Sequence, residues 1–128
     1  MEQNFENKQE IYSWGSDRFG QLAIGKKEKG KNYNLPFLIT LPIFVREISC
    51  GEEHSAMITF EGKVFTVGSN SEGRLGIGNS SLKYSSSPIQ INLFDDTRKA
   101  IKISCGWGHS AVICENGELF TWGTAEFG

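Results

Sequence analysis

The sequence is poor in the residues that most often carry chemistry. It has two histidines, three cysteines and three prolines in 128 residues. Both histidines fall in one repeated motif, which leaves no separate His-centred constellation for acid–base or nucleophilic catalysis. The cysteines show no paired spacing, so a disulfide framework is not expected and a reduced, intracellular compartment is. No apolar run approaches the roughly 20 residues of a membrane span, and the first ten residues, MEQNFENKQE, hold no apolar signal core. Charge of one sign is lacking too. The formal net charge is −2, and the N-terminal tail sets Glu2, Glu6 and Glu10 against Lys8. Without a basic surplus, direct nucleic-acid binding is not expected.

Glycine is what the chain has in excess, 15 residues, where a background of roughly 7% would give about nine. Their spacing shows why. Ile11-Tyr12-Ser13-Trp14-Gly15 matches Val64-Phe65-Thr66-Val67-Gly68 and Leu119-Phe120-Thr121-Trp122-Gly123. The match runs on through WGSDRFGQLAIG (Trp14 to Gly25) and VGSNSEGRLGIG (Val67 to Gly78), and a third copy reads WGTAEFG to Gly128. A second block, ISCGEEHSAMI from Ile48, returns as ISCGWGHSAVI from Ile103. The aligned glycines are Gly15, Gly68 and Gly123; Gly20, Gly73 and Gly128; Gly25 and Gly78; Gly51 and Gly106; Gly62 and Gly117. Matched glycines imply the same turns built more than once. The repeats run over about 11–63, 64–118 and 119–128, after a tail at 1–10.

Within a repeat the apolar pieces are short and rich in β-branched and aromatic residues, which predicts strands. Asn116-Gly117 and Glu61-Gly62 lie between such pieces and predict two hairpins, Ala111–Cys114 with Glu118–Trp122 and Ala56–Phe60 with Lys63–Val67. Pro36 and Pro88 are expected at the start of further strands, where no ladder donor is lost. Phe94 to Ala100 is expected to hold a helical turn capped by Asp95 or Asp96. About four strands every 53–55 residues is the pattern of a propeller blade. The fold class expected is therefore all-β, a partial β-propeller of four-stranded antiparallel blades.

The chain has no double glycine and no Trp-Asp dipeptide, which sets aside the kelch and WD propellers. It does have Gly51-x-x-His54-Ser55 and Gly106-x-x-His109-Ser110, each followed by a Gly turn and an aromatic strand, then Gly73-Arg74-Leu75-Gly76 or Gly20-Gln21-Leu22-Ala23. This closely resembles the regulator of chromosome condensation repeat, from Ile11 to Gly128. Val67 departs from the family's Trp and Ala23 from its Gly. The resemblance implies a seven-bladed propeller, of which two repeats and the start of a third would form a fragment, with the remaining blades expected elsewhere. An open blade face of roughly 500 Å² would forgo about 12 kcal/mol at most. It also implies a non-catalytic protein-interaction scaffold, the alternative being guanine-nucleotide exchange on a Ran-like small GTPase. The expected residence is cytoplasmic, with nucleus and cilium the alternatives.

No catalytic, cofactor or metal residues are expected. Cys50-x3-His54 and Cys105-x3-His109 look like zinc spacings, but equivalence puts them in successive blades. The expected roles are a small buried Cys and a His whose ring bonds a neighbouring loop. Trp14 and Trp122 are expected in core or inter-blade packing. For partner contact the candidates are Lys26, Lys27, Lys29 and Lys31, in a loop at Lys26–Leu35 equivalent to one at Asn79–Ser87, together with the unmatched Trp107.

Overall fold

The computed structural model describes residues 9–25 and 31–128. The order is β1 (Ile11–Ser16), β2 (Asn32–Ile39), β3 (Val45–Cys50), β4 (His54–Thr59), β5 (Val64–Ser69), a 3₁₀ turn (Ser71–Gly73), β6 (Tyr84–Ile91), β7 (Ala100–Cys105), β8 (His109–Cys114) and β9 (Leu119–Gly123). All pairings are between chain neighbours and antiparallel: a two-stranded sheet β1-β2, a four-stranded sheet β3-β4-β5-β6 and a three-stranded sheet β7-β8-β9. The middle sheet is one complete blade.

The two hairpins form as the turn residues predict. β4 pairs β5 from His54↔Gly68 to Ile58↔Val64, and β8 pairs β9 from His109↔Gly123 to Ile113↔Leu119. Each tight turn is closed by backbone bonds, Gly62 N–H to Thr59 O and Gly117 N–H to Cys114 O. Repeat and blade are out of phase. β1 to β4 lie in the first repeat and β5 to β8 in the second, so each repeat ends one sheet and begins the next.

Three expectations about secondary structure fail. Phe94 to Ala100 is turn and bend rather than helix. Asp95 Oδ1 accepts from Thr97 N–H at 2.8 Å, Thr97 Oγ1 at 2.7 Å and Arg98 N–H at 3.2 Å, an Asx turn that competes with helix. These bonds, Thr97's first, hold the Asp95 carboxyl below its usual range. Pro36 and Pro88 lie inside β2 and β6. Both strands are the outermost of their sheets, and in both the register slips where the proline sits, between Ser13↔Phe37 and Gly15↔Tyr33 and between Thr66↔Ile89 and Gly68↔Ser85. A bulge on an edge strand asks for no N–H there, so proline costs nothing. For the same reason Asn32–Leu35 and Tyr84–Ser87, expected as loop, are strand.

The core lies between sheets. Ala56, Ile58, Val64, Ile91 and Phe94 of the middle blade meet Ala100, Ile103, Val112 and Cys114 of the three-stranded sheet. On the opposite face Val45, Met57 and Val67 meet Ala23 and Ile39. Because neighbours on a strand point to opposite faces, every residue of β4 is buried, while β8 alternates. β3 and β7 are joined by polar bonds as well. Ser49 Oγ accepts from Cys105 N–H at 2.8 Å, and Arg46 Nη2 donates to Ile101 O at 3.1 Å.

Candidate interaction surface

The connections divide between two faces. Turns after β2, β4, β6 and β8 form one face. The β1–β2, β3–β4, β5–β6 and β7–β8 connections, with the chain after β9, form the other, which carries the long loops. The β1–β2 and β5–β6 loops fold alike. Asp17 Oδ1 accepts from Leu22 N–H at 3.0 Å and Asn70 Oδ1 from Leu75 N–H at 3.3 Å. Asp17 N–H reaches Lys31 O and Asn70 N–H reaches Lys83 O. Burial raises the Asp17 carboxyl above its usual range, partly offset by the Leu22 N–H. Asp17 and Asn70 organise these loops and went unnoticed in the sequence, although they occupy matched places after the aligned Ser16 and Ser69.

The Gly-x-x-His motif has a direct geometric reason. The His54 ring folds back over Gly51, where a Cβ would lie 2.6 Å from Nδ1, and His109 does the same over Gly106. The ring continues into the next blade: His54 Nε2 is 2.8 Å from Ser110 Oγ, in strand β8 rather than in a loop. Nδ1 is buried without a hydrogen-bond partner. The cheapest tautomer leaves Nδ1 bare and lets Nε2–H donate to Ser110, whose hydroxyl lies 3.5 Å from Cys105 Sγ. Burial first, then the charges of Arg74 and His109, lower His54 to about 4. Burial likewise raises the Cys105 and Cys114 thiols. Cys50 is exposed, and Ser55 Oγ rather than a histidine approaches its Sγ, at 3.7 Å.

The tryptophans separate. Trp122 Nε1 donates to Arg74 O at 3.0 Å, and its ring covers Gly76, where a Cβ would lie 2.6 Å from Nε1 and φ is +67°. Trp14 is 60% exposed, against the packed place expected of it, because no sheet precedes β1 among the described residues. Val67, the third member of the set, is buried in one cluster with Ala23. The two departures from the repeat pattern are therefore a pair: the smaller Val67 meets the larger Ala23 where Trp122 meets Gly76.

Trp107 lies on the long-loop face, 59% exposed. Its carbonyl accepts from Glu52 N–H at 3.2 Å, and its ring lies 5.6 Å from the Arg74 guanidinium. Arg74 is buried, donating to Ser71 O at 3.0 Å and pairing with Glu53 at 3.4 Å. Thr124 Oγ1 bonds Glu72 beside them. An open groove of about 840 Å³ runs alongside, lined by Phe19, Glu53, Asn70, Glu72 and Lys83 among others. Trp107 was a candidate from the sequence; Arg74 was not, although its side chain crosses to the next blade. Lys26, Lys27 and Lys29 lie outside the described residues. Lys31 is exposed on the same face, its Nζ 5.2 Å from the Tyr33 ring. Lys31 and Trp107 belong to different ends of that face, the first on the β1–β2 loop and the second on the β7–β8 loop.

Blades of sequential antiparallel strands, joined face to face by a repeated motif, define the class as a β-propeller repeat protein. The regulator of chromosome condensation (RCC1) repeat model matches residues 9–58 and 61–113, and a second model of the same repeat matches 45–74 and 100–128. The chain belongs to the RCC1-repeat family. It is 32% identical to the ultraviolet-B receptor UVR8 of Arabidopsis thaliana over 88% of this chain and 25% of that protein. It is 36% identical to the X-linked retinitis pigmentosa GTPase regulator of Canis lupus familiaris over 88% of this chain and 11% of that protein. The fold is similar to that of Prp20p from Saccharomyces cerevisiae, described with its binding properties to Gsp1p and histones, with a TM-score of 0.81 at 25% identity over 92% of this chain and 30% of that one. The chain spans between about a tenth and a quarter of the length of these curated relatives.

Proposed function

We propose that this chain is a non-catalytic protein-interaction module that contacts its partner through the long-loop face. The observation that carries the reading is Trp107, an exposed aromatic lying against the buried Arg74, which is itself paired with the partly exposed Glu53. A large side chain already held in place loses little entropy on binding, which suits an interface anchor. Lys31 adds positive charge to the same face, and together with Lys26, Lys27 and Lys29 close before it in the sequence it favours an acidic patch on the partner. Free Cys50, Cys105 and Cys114 suit a reduced cytoplasmic setting. To test the face, a photo-crosslinking residue is placed at Trp107 or, on the opposite face, at Phe60. Partner adducts at 107 and none at 60 support the reading, and the reverse pattern overturns it. Charge reversal of the four lysines is expected to weaken capture of that partner, most at low salt.

A second reading, guanine-nucleotide exchange on a Ran-like GTPase, draws on one similarity. The chain is 29% identical to the secretion-regulating guanine nucleotide exchange factor of Bos taurus, over 92% of this chain and 25% of that protein. Release of labelled GDP from a Ran-type GTPase separates the two: unchanged release keeps the interaction module, and accelerated release replaces it with exchange.

A further inference from the structure

An open groove of about 910 Å³ lies on the face opposite the long loops. Pro42, Ile43 and Phe44 of the β2–β3 connection line it, with Phe60 and Phe65 of the β4–β5 hairpin and Gln9. None of its described lining residues belongs to β1, β2 or β9, so the groove owes nothing to the edges of the outer sheets. Phe44 is 58% and Phe60 68% exposed. Exposed apolar rings gathered in a groove mark a place where something docks. The volume is that of a ligand-sized cleft, more than one ring fills, and suits a short stretch of chain. Among the described lining residues the charges are Glu61 and Lys63, paired at 3.2 Å, so the groove favours neither a basic nor an acidic occupant.

The N-terminal segment starts out from this groove. β1 runs from the short-turn face to the long-loop face, so the residues before Ile11 enter at the groove's end of the sheet. Gln9 is clamped there. Its side-chain carbonyl accepts from Val45 N–H at 2.9 Å and its amide donates to Val45 O, which satisfies both backbone groups of that residue. Residues 1–8 precede the clamp and lie outside the described residues. Their sequence has a strict period of two. Within residues 1–10 every charged side chain stands at an even position, Glu2, Glu6, Lys8 and Glu10, and Gln3, Phe5, Asn7 and Gln9 alternate with them. Such alternation marks an extended segment with one face turned inward. The odd face is the inward one, because Gln9 bonds Val45 and Ile11 packs on the cluster of Val45, Met57 and Val67.

We infer that residues 1–8 lie across this groove as an extended strap, with Phe5 seated against Phe44 and Phe60. Four residues separate Phe5 from the Gln9 clamp, an extended reach of up to about 14 Å. The uncharged face of the strap meets a groove whose charges cancel, and Glu6 and Lys8 point away from it. The short tether holds Phe5 at an effective concentration of millimolar order. Burial of its ring then favours the docked form by about tenfold or more. The strap fills the groove with the chain's own residues and leaves the long-loop face as the open one. Its docking does not depend on where an outside partner binds.

A photoreactive phenylalanine analogue at position 5 of the full chain tests the inference. Irradiation is expected to give adducts within the chain, on residues 42–44 and 59–61 of the groove. Hydroxyl-radical oxidation supplies a second reading. Phe5→Ala is expected to raise oxidation of Phe44 and Phe60 severalfold and to leave Phe127, already 96% exposed, unchanged. Combining Asn4→Phe with Phe5→Asn keeps the composition and turns the ring to the other face. That double variant is expected to expose Phe44 and Phe60 as Phe5→Ala does. Adducts elsewhere in the chain, adducts only to a second copy or another protein, or no adducts overturn the inference. So does equal oxidation of Phe44 and Phe60 in the wild type and Phe5→Ala, or a double variant that protects them as well as the wild type.

Discussion

His54 and His109 occupy the same place in the same motif, and their surroundings are opposite. Each ring folds over its own glycine, Gly51 or Gly106. His54 is then covered by the three-stranded sheet and meets Ser110, whereas His109 faces outward and is exposed. The difference continues along both strands. Ile58 is fully buried and its equivalent Ile113 is 43% exposed; Val64 is fully buried and Leu119 is 64% exposed. Identical local chemistry thus becomes core or surface according to whether another sheet lies against it. A blade of this kind is half of an interface, and its stability depends on its neighbours.

The largest expected effect comes from breaking the glycine under each ring. In Gly51→Ala the new Cβ meets the His54 ring and, at 2.6 Å, the carbonyl of Gly106. The ring cannot move into solvent because the next sheet covers it. A loss of about 3 kcal/mol or more is expected from overpacking together with the broken His54–Ser110 contact. Gly106→Ala lets the exposed His109 ring swing aside and is expected to cost about 1 kcal/mol or less. Urea unfolding of the two variants measures the gap, and equal losses would contradict the asymmetry.

Acid sharpens the same comparison. His54 is held at about 4, against roughly 6.5 in an unfolded chain. The unfolded state therefore binds the proton first, so the stability is fully present above about pH 6.5 and is lost as pH falls toward 4. Between pH 7 and pH 5 the loss is expected to be roughly 2 kcal/mol. His54→Gln should flatten this part of the pH profile, as read by denaturant midpoints at both pH values.

The smallest effect is the coupling within the Val67–Ala23 pair. Val67→Trp alone restores the larger side chain against an unaltered Ala23 and is expected to cost roughly 1–3 kcal/mol. Ala23→Gly removes a Cβ at a φ of +59°, the left-handed region that glycine enters freely. In the double variant the contact would reproduce Trp122 over Gly76, so a favourable coupling of about 1 kcal/mol is expected in a double-mutant cycle. Additive effects would mean that the two departures are unrelated.

Much of this organisation was legible before any coordinates. The hairpins at Glu61-Gly62 and Asn116-Gly117 are local, set by turn residues and flanking β-branched pieces. The repeat and the equivalence of its two variable loops follow from spacing, and the family follows from the resemblance of the repeated motifs. The expected helical turn at Phe94–Ala100 failed because Asp95 prefers an Asx turn once β6 and β7 fix its ends. The prolines were expected at the strand starts but lie at the fifth position of β2 and of β6, because a bulge is a property of two paired strands, invisible in either one. Of the candidate surface, Lys31 and Trp107 were legible as an odd loop and an unmatched aromatic. Arg74 was not, because its partners Glu53 and Trp107 belong to other segments.

By itself, the sequence determined the repeat, the antiparallel hairpins and the ring-over-glycine fold of each Gly-x-x-His motif, all of which depend on interactions within a few residues or on a fixed period. Tertiary structure alone decided which copy of each motif is buried. Burial depends on whether a second sheet packs against the first, and identical motifs carry no information about their neighbours. Hence His54 meets Ser110 in the core while His109 stays at the surface, and Trp122 is seated while Trp14 is exposed.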